Sequence, residues 1–66
     1  MMFFYLVAMI DRCKGKIIAK YSNPKSAFDH KTRLEQDKRW RCLEVHASNQ
    51  NKVKNQILNV SELHVM

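Results

Sequence analysis

One glycine, one proline and two cysteines are all that this 66-residue chain has of the residues that punctuate, stiffen or cross-link a backbone. With so little glycine and proline there is no flexible linker, no repeat and no low-complexity tract. Cys13 and Cys42 could form one bridge, but in a chain with no secretory segment they read as reduced thiols, and the expected compartment is the cytoplasm. Acidic residues are scarce as well. Six Asp and Glu against twelve Lys and Arg leave a formal charge of +6, which favours anionic partners and solubility and is silent about fold. A long apolar run is also missing: residues 1–10, MMFFYLVAMI, carry no charge, but Asp11 and Arg12 close the run at half of the roughly 20 residues a membrane span takes. Nothing basic precedes it and no small-residue cleavage site follows, so it does not read as a signal segment.

What remains for that run is a buried strand. Phe3, Phe4, Tyr5, Val7 and Ile10 are aromatic or β-branched. Alternation places Phe3, Tyr5, Val7 and Met9 on one face and Phe4, Leu6, Ala8 and Ile10 on the other, so neither face suits water. Such a strand belongs at the centre of a sheet. Sixty-six residues make one domain, in the size range where a single core is marginal.

Gly15, the only glycine, is expected to supply the hairpin turn after strand one. A second strand over residues 16–22 alternates Ile17, Ala19 and Tyr21 against Lys16, Ile18, Lys20 and Ser22, and its lysines suit a sheet edge. Asn23 and Pro24 then read as the cap and first position of a helix over residues 24–38. Its apolar stripe is thin: Ala27, Phe28, Leu34 and the stem of Lys31. Residues 39–47 alternate Trp40, Cys42, Glu44 and His46 against Arg41, Leu43, Val45 and Ala47, a third strand. Beyond it, Val53, Ile57 and Val60 fit a short helix over residues 51–59 with an extended tail, although residues 60–66 fit a strand as well.

The expected fold is therefore α+β, with a small three-stranded sheet of order 2-1-3 in a β-β-α-β arrangement, followed by a C-terminal helix or extended segment. The strand-helix-strand crossover makes strands two and three parallel, with strand one between them and antiparallel to both. Residues 1–66 form one domain, and the asparagine-rich residues 48–66 are its flexible or partner-dependent part.

In this arrangement the hairpin tip, the helix exit and the start of strand three meet at one pole. Arg12, Lys14, Lys16, Lys38, Arg39 and Arg41 gather there with Trp40, opposed by Asp11 and Asp37, a composition suited to phosphate contacts and base stacking. The same residues also have ordinary structural uses: hairpin tips are solvated, cations favour a helix C-terminus, and Trp40 suits a core. If six phosphates of a duplex were contacted, log affinity would fall against log salt with a slope of about −5. A second available surface is the face of strand one that a single thin helix leaves bare. Val53, Ile57, Leu58 and Val60 could close it, as could a second copy in a homodimer, and Met1, Met2, Met9 and Met66 would suit an adaptable contact.

Catalytic and metal chemistry find little support. Cys42 and His46, four apart in a strand, lie about 13 Å from each other, too far to share a zinc ion or a proton. Cys13, His30 and His64 would need separate coincidences to complete a site. A toxin-type ribonuclease using His46 and His30 as acid and base is the enzymatic alternative. Tyr5 and Tyr21 could stack on bases but sit in strands, where core packing is the commoner use. The layout, a hairpin followed by a helix and a strand, is similar to that of many small accessory and inhibitor proteins encoded by phages. That resemblance, of architecture only, implies the main alternative, an inhibitor or regulator binding an acidic host protein of defence or transcription. The leading expectation is a non-enzymatic, cofactor-free protein that binds nucleic acid or a nucleoprotein complex and has no membrane partner.

Overall fold

The computed structural model describes residues 1–40 and 42–65, the last two through their backbone. Among them, the elements run β1 (Phe3–Met9), β2 (Lys14–Tyr21), α1 (Pro24–Glu35), β3 (Leu43–Ser48), β4 (Ile57–Asn59) and β5 (His64–Val65), with a 3-10 turn at Val60–Glu62. The architecture is α+β, but the expected three-stranded sheet is corrected to five strands in the order β4-β2-β1-β3-β5. The 2-1-3 triad stands at its centre, with β1 antiparallel to both neighbours. Two short strands from the C-terminal segment extend it on either side.

Those two strands are consecutive in the chain yet lie at opposite edges, so the sheet cannot be flat. Four interstrand steps span about 19 Å. The stretch from Asn59 to His64 includes the 3-10 turn, whose rise is only about 2 Å per residue, and it covers much less. The sheet therefore curls, and the segment connecting its edges crosses the face opposite α1.

Two cores result, one on each side of β1. Leu6, Ala27, Leu43 and Val45 are buried on the helix face, with Leu34, Ile18, Tyr21 and Trp40 packed around them. Tyr5, Val7 and Ile17 are buried on the other face beneath Leu58 and Leu63 of the crossing segment. The expected short helix over residues 51–59 is absent. The segment gains more by pairing with β2 and covering this face than so short a helix would supply, and it is fastened at several points. Asn55 N–H donates to the Ile17 carbonyl at 2.7 Å, and Ile17 N–H donates to that of Gln56 at 2.9 Å. The buried Tyr5 hydroxyl donates to the Gln50 carbonyl at 2.5 Å and accepts from Lys52 N–H at 2.8 Å.

Four local expectations are corrected. Helix α1 is capped as expected, Asn23 Oδ1 accepting from Ser26 N–H at 2.9 Å, but it ends at Glu35 rather than residue 38. There Asp37 turns the chain, its carboxylate accepting from Arg39 N–H at 3.0 Å, the local competition with helical bonding expected of aspartate. The third strand starts at Leu43, not residue 39, because Cys42 has a left-handed φ of 57° that breaks extended structure. Strand β2 is not a free edge: β4 pairs with Lys14, Gly15 and Lys16. Its faces also differ from simple alternation. Leu6 opposes Ala19 and Val7 opposes Ile17, leaving Ile18 as an extra residue. This bulge moves Ala19 and Tyr21 to the helix face and Lys20 to the opposite one.

Gly15 does not make the turn. It has no positive φ and lies within β2, buried and opposite Met9. Glycine is needed there for space, since a Cβ would sit 2.3 Å from Val7 Cγ1 and 3.2 Å from Val60 Cγ1. Gly15→Ala is expected to lower stability in urea denaturation by about 1 to 3 kcal/mol through overpacking, with Val7→Ala in the same chain recovering part of the loss. Tyr5→Phe is expected to cost about 1 to 2 kcal/mol and to speed amide exchange at Lys52, because its N–H loses its acceptor.

Candidate nucleic-acid interface

The turn between β1 and β2 is organised by Asp11, whose Oδ1 accepts from Cys13 N–H at 2.7 Å and Lys14 N–H at 2.8 Å. These donors, Cys13 first, hold the Asp11 carboxyl below its usual pKa. Arg12 and Lys14 are exposed at this tip. Gly15 and Ile17 point into the core on the face opposite α1, so alternation turns Lys14 and Lys16 outward on the helix side of the sheet. The entrance to β3 is fixed against the same end of β1, where Met9 N–H donates to the Cys42 carbonyl at 3.0 Å. Arg12 and Cys42 consequently share a shallow cleft with Met9, Ile10, Asp11 and Glu44.

The predicted cations of the pole are not equivalent. Arg12, Lys14, Lys16 and Lys38 are exposed and make no ion pair among the described residues. Arg39 is committed to Asp37, its Nη2 at 2.8 Å from Oδ2 and its Nε at 3.2 Å from each oxygen. Hydrogen bonding to Arg39 holds the Asp37 carboxyl below its usual value, and the same bond raises the Arg39 guanidinium. Trp40 is half-buried against the helix-face core, so its ring is not a free stacking platform. Arg41 lies outside the described residues. Asp11 and Glu44 in the cleft temper the pole further.

The two histidines considered for acid-base work do not meet. His46 is fully buried, opposite Tyr5 in the ladder and therefore on the face away from α1. Its Nε2 lies 2.7 Å from Glu44 Oε1, and its Nδ1 has no partner among the described residues. His30 is on α1, across the sheet. Cys13 and Cys42 are exposed free thiols. No helix among the described residues is long and apolar enough to cross a membrane.

Sequence reasoning missed a second polar cluster. A groove beside α1 is lined by Tyr21, Ser26, Asp29, Thr32 and Arg33. At its edge His30 Nδ1 lies 2.7 Å from the Tyr21 hydroxyl, with the rings edge to face at 5.9 Å. His30 is pushed below the usual histidine value first by partial burial, then by the charges of Arg33 and Lys54. The spacing of Ser26, His30 and Arg33, four and three apart on one helix face, was visible in the sequence. The arrival of Tyr21 on that side was not, because it depends on the bulge.

No family model matches the chain, and comparison with curated proteins and with solved structures found no match.

Because the folded protein disfavours protonated His30, the unfolded chain binds that proton more readily once pH falls below the unperturbed value of 6.5. Stability is therefore expected to decline as pH drops from 6.5 toward the lower folded-state value, and to lose this contribution no further below it. Chemical denaturation across that window should show a smaller decline in His30→Gln than in the parent.

Proposed function

We propose that the protein acts without catalysis, by binding nucleic acid or a nucleoprotein complex through the hairpin pole. The observation that carries this reading is the bond from Met9 N–H to the Cys42 carbonyl. It joins the hairpin tip to the connection between α1 and β3, so that Arg12, Lys14, Lys16 and Lys38, all without ion-pair partners among the described residues, belong to one end of the sheet. Phosphates would be bound by charge and by release of their counterions, which requires no base-specific contact.

The ion pair at Arg39 lowers the expected salt dependence. With four contacting cations, the slope of log affinity against log salt is about −3 to −4, less steep than six would give. Fluorescence anisotropy over a salt series measures it directly. Changing Arg12 and Lys38 together to alanine should flatten the slope by about 1.4 to 1.8. Absence of binding at low salt, or binding indifferent to this double change, overturns the reading.

A second reading, a protein partner with an acidic rim, draws on Ile10. Its side chain is 57% exposed within the cleft beside Arg12, an apolar element that phosphate binding leaves unused. Affinity capture from a host extract, with and without nuclease, separates the two. A partner retained after nuclease treatment and lost in Ile10→Asp favours the protein.

A further inference from the structure

Beside α1, like charges from separate parts of the chain act on one histidine. Arg33 comes from the last turn of α1 and Lys54 from the loop fastened to β2 by Asn55, and both act on His30. Neither makes an ion pair among the described residues. Asp29, the acid in the lining, does not come within ion-pair distance of Arg33. Neighbouring cations without ion-pair partners repel one another and attract an anion.

The groove and the hairpin pole lie toward opposite ends of β2. Lys14 and Lys16 face the helix side of β2, and Tyr21, returned to that side by the bulge, ends the same strand at the groove. From Lys14 to Tyr21 the strand covers about 23 Å. Exposed cations thus lie toward both ends of this strand.

We infer that a single-stranded nucleic acid bound at the hairpin pole also reaches the groove beside α1, where Arg33, Lys54 and protonated His30 hold one backbone phosphate. This rests on the nucleic-acid reading of the pole and extends it to a second subsite. A flexible single strand suits the path better than a duplex. The turn projects only residues 10–13 beyond the paired strands, and the exposed side of α1 mixes Lys25, Asp29 and Glu35, so neither presents a reading element for a major groove.

His30 couples this subsite to pH. Its Nδ1 is engaged by the Tyr21 hydroxyl, leaving Nε2 for a ligand. A phosphate offsets the charges of Arg33 and Lys54 and accepts from Nε2–H, while Nδ1–H then donates to the Tyr21 oxygen. Binding takes up a proton, so affinity rises as pH falls through the histidine range, by at most about tenfold per unit. The charged and titratable groups facing His30 are Tyr21 on β2, Asp29 and Arg33 on α1, and Lys54 on the loop. Asp29 opposes the phosphate, and its removal should tighten binding.

The test uses fluorescein-labelled 12-nucleotide single-stranded RNA and DNA and a 12-base-pair duplex, titrated by anisotropy between pH 5.5 and 8. Arg33→Ala with Lys54→Ala is expected to weaken single-strand binding about tenfold or more, Asp29→Asn to strengthen it, and His30→Gln to remove most of the pH dependence. The His30 Cε1–H NMR resonance should titrate at higher pH with oligonucleotide than without, in the parent protein, which keeps the test independent of how the variants fold. If the Arg12 and Lys38 variant loses affinity while the groove variants retain it, or if the His30 titration does not move on binding, the groove assignment is overturned and the pole reading stands. Duplex binding as tight as single-strand binding overturns the single-strand path. No binding of any oligonucleotide at low salt overturns both.

Discussion

The structure depends on one requirement: β1 is apolar on both faces, and both must be kept from water by a chain that forms a single helix among its described residues. Helix α1 covers one face through Ala27 and Leu34. The other is closed by Leu58 and Leu63 on a segment that passes from one edge of the sheet to the opposite edge. A crossing this short is possible only because the sheet curls, and the bulge at Ile18, which sharpens local twist, contributes to that curl. Tyr5 then secures the arrangement from inside, its ring in the core and its hydroxyl holding the loop at Gln50 and Lys52. The apolar face that suggested a second copy is thus met within the chain.

Filling both sides of the sheet with apolar groups forces the basic residues outward, and how each is held then decides its use. Lys31 pairs with Glu35 one turn away, and Lys52 with Glu62 across the crossing segment. Lys20 sits over the Phe3 ring at 5.0 Å and bonds to Asn51. Exposed pairs of this kind add little stability, but each lowers the charge presented to a ligand. After Arg39 is also assigned to Asp37, the uncommitted cations among the described residues concentrate at the hairpin pole and beside α1. That distribution, rather than the formal +6 of the whole chain, is what an anionic partner would meet.

Much of this was legible in the residues. The central place of β1 followed from its two apolar faces, the helix start from Asn23 and Pro24, and the meeting of hairpin and β3 entrance from topology. What was lost was lost for physical reasons. Gly15 was read for its backbone freedom, whereas its value is the missing side chain beside Val7, a tertiary contact with no local signature. The C-terminal strands were hidden because segments of three and two residues have too little periodicity to register. Trp40 and Arg39 were grouped by sequence with the other pole residues, yet one is packed into the helix-face core and the other tied to Asp37.

The bulge had the widest consequences. Strict alternation along β2 puts Lys14, Lys16, Ile18 and Lys20 on one face and Ile17, Ala19 and Tyr21 on the other. One extra residue at Ile18 exchanges the last part of that pattern, so Ile17 serves one core while Ile18, Ala19 and Tyr21 serve the other. Lys20 is sent away from Lys14 and Lys16, to the face with Phe3, and Tyr21 is delivered to His30. Without the bulge, the groove beside α1 would lose the hydroxyl that engages His30 and would face a third strand lysine instead. The groove's chemistry is therefore set by the strand's register, and a change that removed the bulge would alter both cores and the groove together.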